Sequence, residues 1–249
     1  MKKIKFTLFL LMLFIFLFSS YKLYSFYLED RQNEQLILDL SKETVQVNNL
    51  SDYKENKEFA PISVDFKALQ ETNKDIIGWV YQPNTKIKYP IVQGEDNNQY
   101  LRRLIDGEYN VGGTIFLDYR NSSDFSDFYS IVYGHNMKNK SMFGSLTSYK
   151  KQEYFDNNPI IYLLTPEKDY KIELFMGFVN NAKVENFVYD TEITEEQLEN
   201  ILELKKKSTF VSSIVPEIGD RIICLTTCSY EYNNARYLVF GRLKELDKK

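Results

Sequence analysis

The stretch RIICLTTCSYEYNNARYLVFGRL, residues 221–243, has the pattern of two β-strands joined by a polar connection. Its outer parts, RIICLTTC and RYLVFGRL, are rich in the β-branched and aromatic residues that suit a pleated, half-buried surface. In an antiparallel pair, the last residue of one strand faces the first residue of the next, with Cβ atoms ~5 Å apart. We therefore predict that Cys228 and Arg236 are neighbours on one rim of a sheet.

Six more strand-like runs precede this pair. Turn-forming Gly, Pro, Asn and Asp residues separate most of them. Eight short strands in a chain of ordinary globular composition predict a mainly β fold, either a closed barrel or a sandwich. The six runs are IIGWVYQ, KIKYPIVQ, GTIFLDY, FYSIVYGH, IIYLLT and YKIELFMGFV.

Helical patterns are fewer and shorter. We expect one short helix within residues 62–78, and others in NNQYLRRLI (97–105) and SMFGSLTSYKKQEYF (141–155). The clearest pattern is TEEQLENILELKKKS (194–208), which begins with the N-cap residue Thr194. Its acidic first turn and basic last turn complement the helix dipole. We interpret it as a solvated amphipathic helix that covers the barrel.

The first 28 residues predict a membrane signal-anchor. Three lysines within the first five residues precede sixteen uncharged ones, 6–21, and the apolar character continues past Lys22 to Leu28. This length suffices for a bilayer crossing of ~20 residues, and the positive flank places the rest of the chain outside the cell. A cleaved signal peptide is the alternative, but FSSYKLYSF is a poor match to an A-x-A-like cleavage site.

Charge and polarity divide the chain into three predicted domains. They are a cytoplasmic flank with the anchor (1–28), a polar stalk helix and linker (29–60), and a β-barrel domain (61–249). The first 28 residues hold four of the 31 basic residues and no acidic residue, which leaves 27 basic against 35 acidic residues and a net charge of −8. This acidic balance argues against nucleic-acid binding.

The chain has two cysteines, Cys224 and Cys228. On one strand they share a face but lie ~13 Å apart, beyond the ~7 Å Cα separation that a disulfide allows. Two cysteines and one distant histidine are one ligand short of a structural zinc site, and C-x-x-C is absent. We interpret Cys224, deep in the strand, as a small buried hydrophobe. Cys228, at the strand end, is a candidate nucleophile, with a buried hydrophobe as the alternative.

His135 is the only histidine, and it lies where the run SIVYGH gives way to a loop. A guanidinium from Arg236 beside Cys228 would stabilise an oxyanion. The alternatives are a solvated loop histidine and a surface arginine. We expect no metal site and interpret Asp124 and Asp127 as solvated loop acids.

These residues resemble the sortase family, the cysteine transpeptidases of Gram-positive cell surfaces. Thr226-Thr227-Cys228 resembles the family signature T-L-x-T-C, with Cys224 where the first Thr usually stands. The segments GGTIFLDYRN (112–121) and IVYGHNMKNKSMFGSL (131–146) are similar to class B members in particular, as is the helix at 194–208. The resemblance spans about residues 60–245 plus the N-terminal anchor.

The resemblance implies a closed eight-stranded sortase-type β-barrel with N-terminal helices and a helix before the penultimate strand. It also implies a mechanism without a cofactor or a metal. Cys228 attacks the Thr carbonyl of an Asn-Pro-x-Thr-like or Ser-Pro-x-Thr-like sorting motif, and Arg236 holds the oxyanion. His135 protonates the leaving amine and deprotonates the incoming one. Thr226 and Tyr133 are expected to bind substrate.

The implied partners are secreted proteins with a C-terminal sorting signal, a peptidoglycan stem or cross-bridge amine, and the membrane. The implied location is a single-pass membrane protein with its catalytic domain outside the cell. Some class B members have an acid one or two residues after the cysteine, whereas this chain has Ser229 and Tyr230 there, with Glu231 third. No catalytic acid is predicted. A non-catalytic anchored barrel that binds cell-wall peptide or a partner protein, and a thiol hydrolase, remain as alternatives.

Overall fold

Eight strands close into a barrel in the computed structural model, which describes residues 2–48, 59–181, 194–229, 231 and 233–248. The strands are β1 (Val45–Val47), β2 (Ile62–Val64), β3 (Ile76–Tyr81), β4 (Lys88–Val92), β5 (Ile115–Leu117), β6 (Tyr129–Tyr133), β7 (Ile160–Leu164), β8 (Asp169–Asn181), β9 (Arg221–Cys228) and β10 (Ala235–Leu246). The helices are α1 (Lys2–Thr44), α2 (Phe66–Thr72), a 3₁₀ helix (Gly144–Lys150), α3 (Gln152–Asn157) and α4 (Glu195–Lys205).

The barrel order is β10-β8-β7-β3-β4-β5-β6-β9, so all eight predicted runs are barrel strands. The pairs β4–β5 and β6–β9 are parallel, and the remaining neighbours are antiparallel. Closure decides between the two predicted architectures in favour of the barrel. Strands β1 and β2 form a separate pair beside it.

Alternation along the strands divides the buried side chains into two clusters. One takes residues such as Val132, Leu225 and Val239 from every barrel strand and fills the interior. The other lies on the outer face and includes Cys224 together with residues of the covering helices. Cys228, four residues beyond Cys224, therefore points to the outer face of β9. The helix residues of the outer cluster are Leu40, Phe66, Leu69 and Ile201.

Helix α1 is continuous across the predicted boundary at residue 28. Beyond that boundary, Asn33, Ile37, Leu40 and Thr44 are buried at helical spacing and form the face that packs on the barrel. Before it, every large apolar side chain from residue 4 to residue 28 is exposed. The first part of α1 is long and apolar enough to cross a membrane, by length and composition alone. Residues 49–58 of the predicted stalk and linker lie outside the described residues.

The clearest predicted helix is confirmed as α4. Thr194 caps it through a reciprocal pair of hydrogen bonds with Gln197, and Ile201 is buried against the barrel. The segment 141–155 forms the 3₁₀ helix and α3, and Asp65 caps α2 by accepting a hydrogen bond from the Ala68 N–H at 3.1 Å.

The helix predicted at 97–105 is wrong, because these residues form turns. The Asp96 carboxylate accepts the backbone N–H groups of Asn98 and Gln99, both at 2.8 Å, and Arg103 pairs with Tyr109 in an isolated bridge. The Asp96 side chain thus takes N–H groups that would begin a helix, and the Leu101 N–H closes a turn by donating to the Asn98 carbonyl at 3.2 Å.

Candidate active site

The last residue of β9 lies beside the second residue of β10. The register pairs Cys228 with Arg236, and the N–H of Ser229 donates to the Ala235 carbonyl at 2.7 Å, which closes the pair. The predicted neighbour relationship is confirmed. Neither cysteine forms a disulfide; Cys224 is buried opposite Phe240, whereas Cys228 is half-buried at the rim. Only Cys228 therefore combines exposure with a neighbouring cation.

Parallel pairing of β6 with β9 brings His135 to the same rim. Tyr133 pairs with Thr226, and the Gly134 N–H donates to the Thr226 carbonyl at 3.1 Å. A Cβ at Gly134 would lie 2.5 Å from a methyl group of Ile115 and 2.6 Å from the Phe143 ring, so a larger residue would force these buried side chains to shift. Two residues further, Asn136 Nδ2 donates to the Cys228 carbonyl at 2.8 Å. The backbone thus places His135, Cys228 and Arg236 at the same edge of the barrel, where β6 and β9 end.

The ring of His135 is held by the segment that was predicted to be a helix. Its Nε2 lies 2.7 Å from the carbonyl oxygen of Leu101. A carbonyl only accepts, so Nε2 carries the hydrogen and Nδ1 is the nitrogen that takes up a proton. Burial lowers the pKa of His135; the Leu101 hydrogen bond opposes this, and the positive charges of Arg102 and Arg236 lower it further. The neutral imidazole is favoured.

Tyr133 forms the floor beneath Arg236. The guanidinium carbon lies 5.8 Å from the centroid of the Tyr133 ring, a cation–π contact, and the ring stacks on Phe116 at 5.1 Å. Only 7% of Tyr133 is exposed, and its hydroxyl donates to Asp118 Oδ2 at 3.0 Å. Thr226 is also buried, on the same strand face as Cys228. A substrate-binding role for Tyr133 and Thr226 stays a prediction.

Asp118 anchors this floor as a fully buried carboxylate. Burial by itself would raise the pKa of Asp118, but hydrogen bonds from Arg120, Asn97 and Tyr133 outweigh it and lower the pKa to about 2. The carboxylate is therefore ionised and fixed, and it holds the Tyr133 hydroxyl in place.

The loop after Cys228 is held in place by an ionic cluster. Lys150 Nζ donates to Ser229 Oγ at 3.0 Å and binds the Glu231 carboxylate, which also accepts the Ser229 hydroxyl. The Lys150 hydrogen bond is the main reason that the pKa of Glu231 falls to about 2. Glu231 is therefore ionised at neutral pH. Tyr230 lies outside the described residues.

A cavity of 410 Å³ opens beside this cluster, lined by residues such as Asn136, Lys138 and Ser229. Within the described residues, no group of three or more His, Cys, Asp or Glu side chains is arranged to hold a metal ion.

The interpretation of Asp124 and Asp127 is corrected in part. Asp124 is exposed, as expected. Asp127 is 5% exposed and accepts hydrogen bonds from Asn121 Nδ2 at 2.8 Å and from the Ser122 N–H at 2.7 Å. It is therefore a buried structural acid, because three local donors replace its water shell.

Sequence reasoning missed three supporting groups: Asn136, Asp118 and the Leu101 carbonyl. Asn136 directly follows the candidate His135, so its place in the sequence indicates that it lies near the site. Asp118 and Leu101 carry no such signal, because their partners lie 15 and 34 residues away in the chain.

The fold is that of a known class of cell-wall enzyme. The chain belongs to the Sortase family, whose Sortase domain matches residues 80–244. Members of this family are transpeptidases of the cell surface.

Within the family, the similarity is to sortase B. The chain is 34% identical to sortase B of Listeria monocytogenes over 241 residues, 95% of each chain. It superposes on a Staphylococcus aureus sortase B–substrate complex with a TM-score of 0.72 and 26% identity, covering 89% of this chain and 98% of that one. A sortase B complexed with triglycine also gives a TM-score of 0.72 and 26% identity, covering 89% of this chain and 99% of that one.

Proposed function

We propose that this protein is a membrane-anchored cysteine transpeptidase that cleaves a sorting motif after Thr and joins the new carboxyl end to a cell-wall amine. The observation that carries the proposal is the pairing of Cys228 with Arg236 at the rim that also holds His135. A nucleophile, a cation for the oxyanion and a proton carrier are the groups that acyl transfer needs.

In the first half-reaction, the Cys228 sulfur bonds to the Thr carbonyl carbon and the peptide C–N bond breaks. The oxygen carries negative charge in the tetrahedral intermediate, where the Arg236 guanidinium stabilises it. As the sulfur attacks, the Cys228 thiol passes its proton to Nδ1 of His135, which then gives this proton to the leaving amine, and a thioacyl enzyme remains.

In the second half-reaction, an amine attacks the thioester carbon and the sulfur leaves. His135 takes the proton that the amine loses and returns it to the departing sulfur, which restores the Cys228 thiol and the neutral imidazole. The donor motif resembles Asn-Pro-x-Thr or Ser-Pro-x-Thr by analogy with class B sortases. The solved sortase B complex with triglycine supports a cell-wall peptide with a free terminal amine as one acceptor.

We also propose that the first part of α1 anchors the protein in the membrane with the barrel on the extracellular face. The exposed apolar surface from residue 4 to residue 28 supports the anchor. The lysines at the start of the chain support the orientation, because positive flanks stay in the cytoplasm. Partners are then secreted proteins with a sorting signal and the peptidoglycan stem or cross-bridge amine.

The test incubates a chain lacking residues 1–28 with pentapeptides of both motifs, with and without triglycine or diaminopimelate, and follows products by mass spectrometry. We expect an amine-joined product that is absent with Cys228→Ala. Hydrolysed peptide alone, with the amine present, would favour the thiol hydrolase. Peptide binding without turnover, unchanged in Cys228→Ala, would favour the non-catalytic barrel.

A further inference from the structure

The two ends of the barrel are distinguishable by the contacts of α1. At one end, the helix begins to pack on the barrel at Glu29 and Asp30, against loops that flank the active site. Asn139 Nδ2 donates to both Asp30 carboxylate oxygens at 2.7 and 2.8 Å, and Asn110 Nδ2 donates to the Glu29 carbonyl at 2.7 Å. Asn139 is four residues from His135. The N-terminal end of the packed helix therefore lies at the active-site end of the barrel.

The last turn of α1 lies at the opposite end. The Thr44 carbonyl accepts the Asp65 N–H at 2.8 Å. The neighbouring Phe66 ring is covered by Lys248, whose Nζ reaches the Thr165 carbonyl at 2.9 Å in the β7–β8 turn. That turn is where β8 begins, whereas β8 pairs with Arg236 near its other end.

The rise per residue of an α-helix gives the distance of each end of the barrel from the apolar segment. Leu28, where the exposed apolar surface ends, is two residues or ~3 Å along the axis from Asp30. Thr44 is ~21 Å beyond Asp30. Because α1 is unbroken from Lys2 to Thr44, the barrel cannot turn freely relative to the apolar segment.

The loops at the active-site end have an interfacial composition. We name residues 101–111 and 136–140 the rim loops; the first carries the carbonyl that holds His135. Tyr109 is 61% exposed, Leu101 is 37% exposed, and Lys138 and Lys140 are exposed. Exposed aromatic and basic side chains are typical of the membrane–water interface. Asp106 and Glu108 are exposed in the same loop, so these loops carry charges of both signs. Charge alone therefore does not direct the loops to the membrane, and the position of α1 does.

We propose that the rim loops face the phospholipid headgroup layer from which α1 emerges, so that the active site opens close to the bilayer surface and the β7–β8 turn points away from it. This inference rests on the proposed membrane anchor. It goes beyond the proposed function because the same barrel on a flexible stalk would have no fixed orientation.

The experiment uses the full chain, with Cys224→Ala and Cys228→Ala, in vesicles of phosphatidylcholine and phosphatidylglycerol that contain a headgroup-attached quencher. A fluorophore is placed at Lys138→Cys in a rim loop, or at Glu167→Cys in the β7–β8 turn as the matched control. Tyr109→Cys is a second rim position, for use where Lys138→Cys does not fold. We expect quenching several-fold stronger at the rim position than at Glu167→Cys.

A flexible Gly-Ser linker inserted after Leu28 should remove most of this difference while the chain still floats with the vesicles. Equal quenching at both positions without the linker, or stronger quenching at Glu167→Cys, would overturn the proposal while leaving the anchor intact. Failure to float would overturn both. Activity of the wild-type chain is assayed separately, so a failure of the proposed catalysis is distinguishable from a failure of the orientation.

Discussion

Arg236 rests on the face of Tyr133, whose hydroxyl is fixed by Asp118. The guanidinium is therefore positioned from below by an aromatic ring that is itself held by a buried carboxylate. This arrangement links the residue expected to stabilise the oxyanion to a rigid part of the barrel, which is how preorganisation is achieved.

The ring of Tyr133 should matter more than its hydroxyl. Tyr133→Leu removes the cation–π contact, worth ~0.5–2 kcal/mol, and should lower kcat/KM by about 2- to 30-fold. Tyr133→Phe keeps the ring and loses only the hydrogen bond to Asp118, so its loss should be smaller. Steady-state kinetics at a temperature where both variants are folded decides this, and equal activity of Tyr133→Leu and wild type would contradict the positioning role.

Replacing Arg236 should affect chemistry rather than folding. Arg236→Ala should lower kcat by ~10²–10³, the cost of removing one oxyanion-hole donor. Arg242→Ala is the matched control on the same strand, because Arg242 is ion-paired with Glu173 at 2.8 Å, away from the rim. Arg242→Ala should change the unfolding temperature and leave kcat near the wild-type value. A similar kcat loss in both variants would argue against a specific role for Arg236.

The single histidine gives an unambiguous titration signal. We expect the NMR-measured pKa of His135 to lie below 6.5, because burial disfavours the imidazolium. Arg102→Ala should raise this pKa without restoring the ordinary value, since burial is the larger cause. The fold binds the proton less readily than the unfolded chain, so His135 should cost stability as the pH falls from 6.5 through its lowered pKa. A wild-type pKa above 6.5 would contradict this environment.

Asp169 should make stability fall as the pH rises. Burial raises its pKa from 3.8 to about 6, so the folded state holds a proton that the unfolded state has lost. Stability from this group is present below pH 3.8 and is lost as the pH rises to about 6. Asp169→Asn should raise the Tm at pH 7 by about 6–12 °C, because a pKa rise from 3.8 to about 6 corresponds to ~3 kcal/mol, and should have little effect near pH 4. A Tm gain independent of pH would contradict the assignment.

Local patterns predicted the strands and one decisive contact. The β-branched runs correspond to all eight barrel strands, and the pairing of Cys228 with Arg236 follows from the order strand, loop, strand along the chain. The cap at Thr194 was equally readable, because capping depends on residues three positions apart.

Contacts between distant segments were not readable in this way. The parallel pairing of β6 with β9 places His135 beside Cys228, and no local signal fixes that register. Residues 97–105 have a helical pattern, yet the Asp96 side chain and the pairing of Arg103 with Tyr109 hold them in turns. The hydrogen bond between His135 and the Leu101 carbonyl depends on these turns.

The central claim is that Cys228 is the nucleophile, and the intact mass of the enzyme tests it most directly. The wild-type chain lacking residues 1–28, Cys228→Ala and the matched Cys224→Ala are mixed with a sorting-motif peptide without an amine acceptor and quenched in acid. We predict a mass increase equal to the acyl fragment in wild type and in Cys224→Ala, and none in Cys228→Ala. An adduct that persists in Cys228→Ala, or that disappears only in Cys224→Ala, would contradict the account.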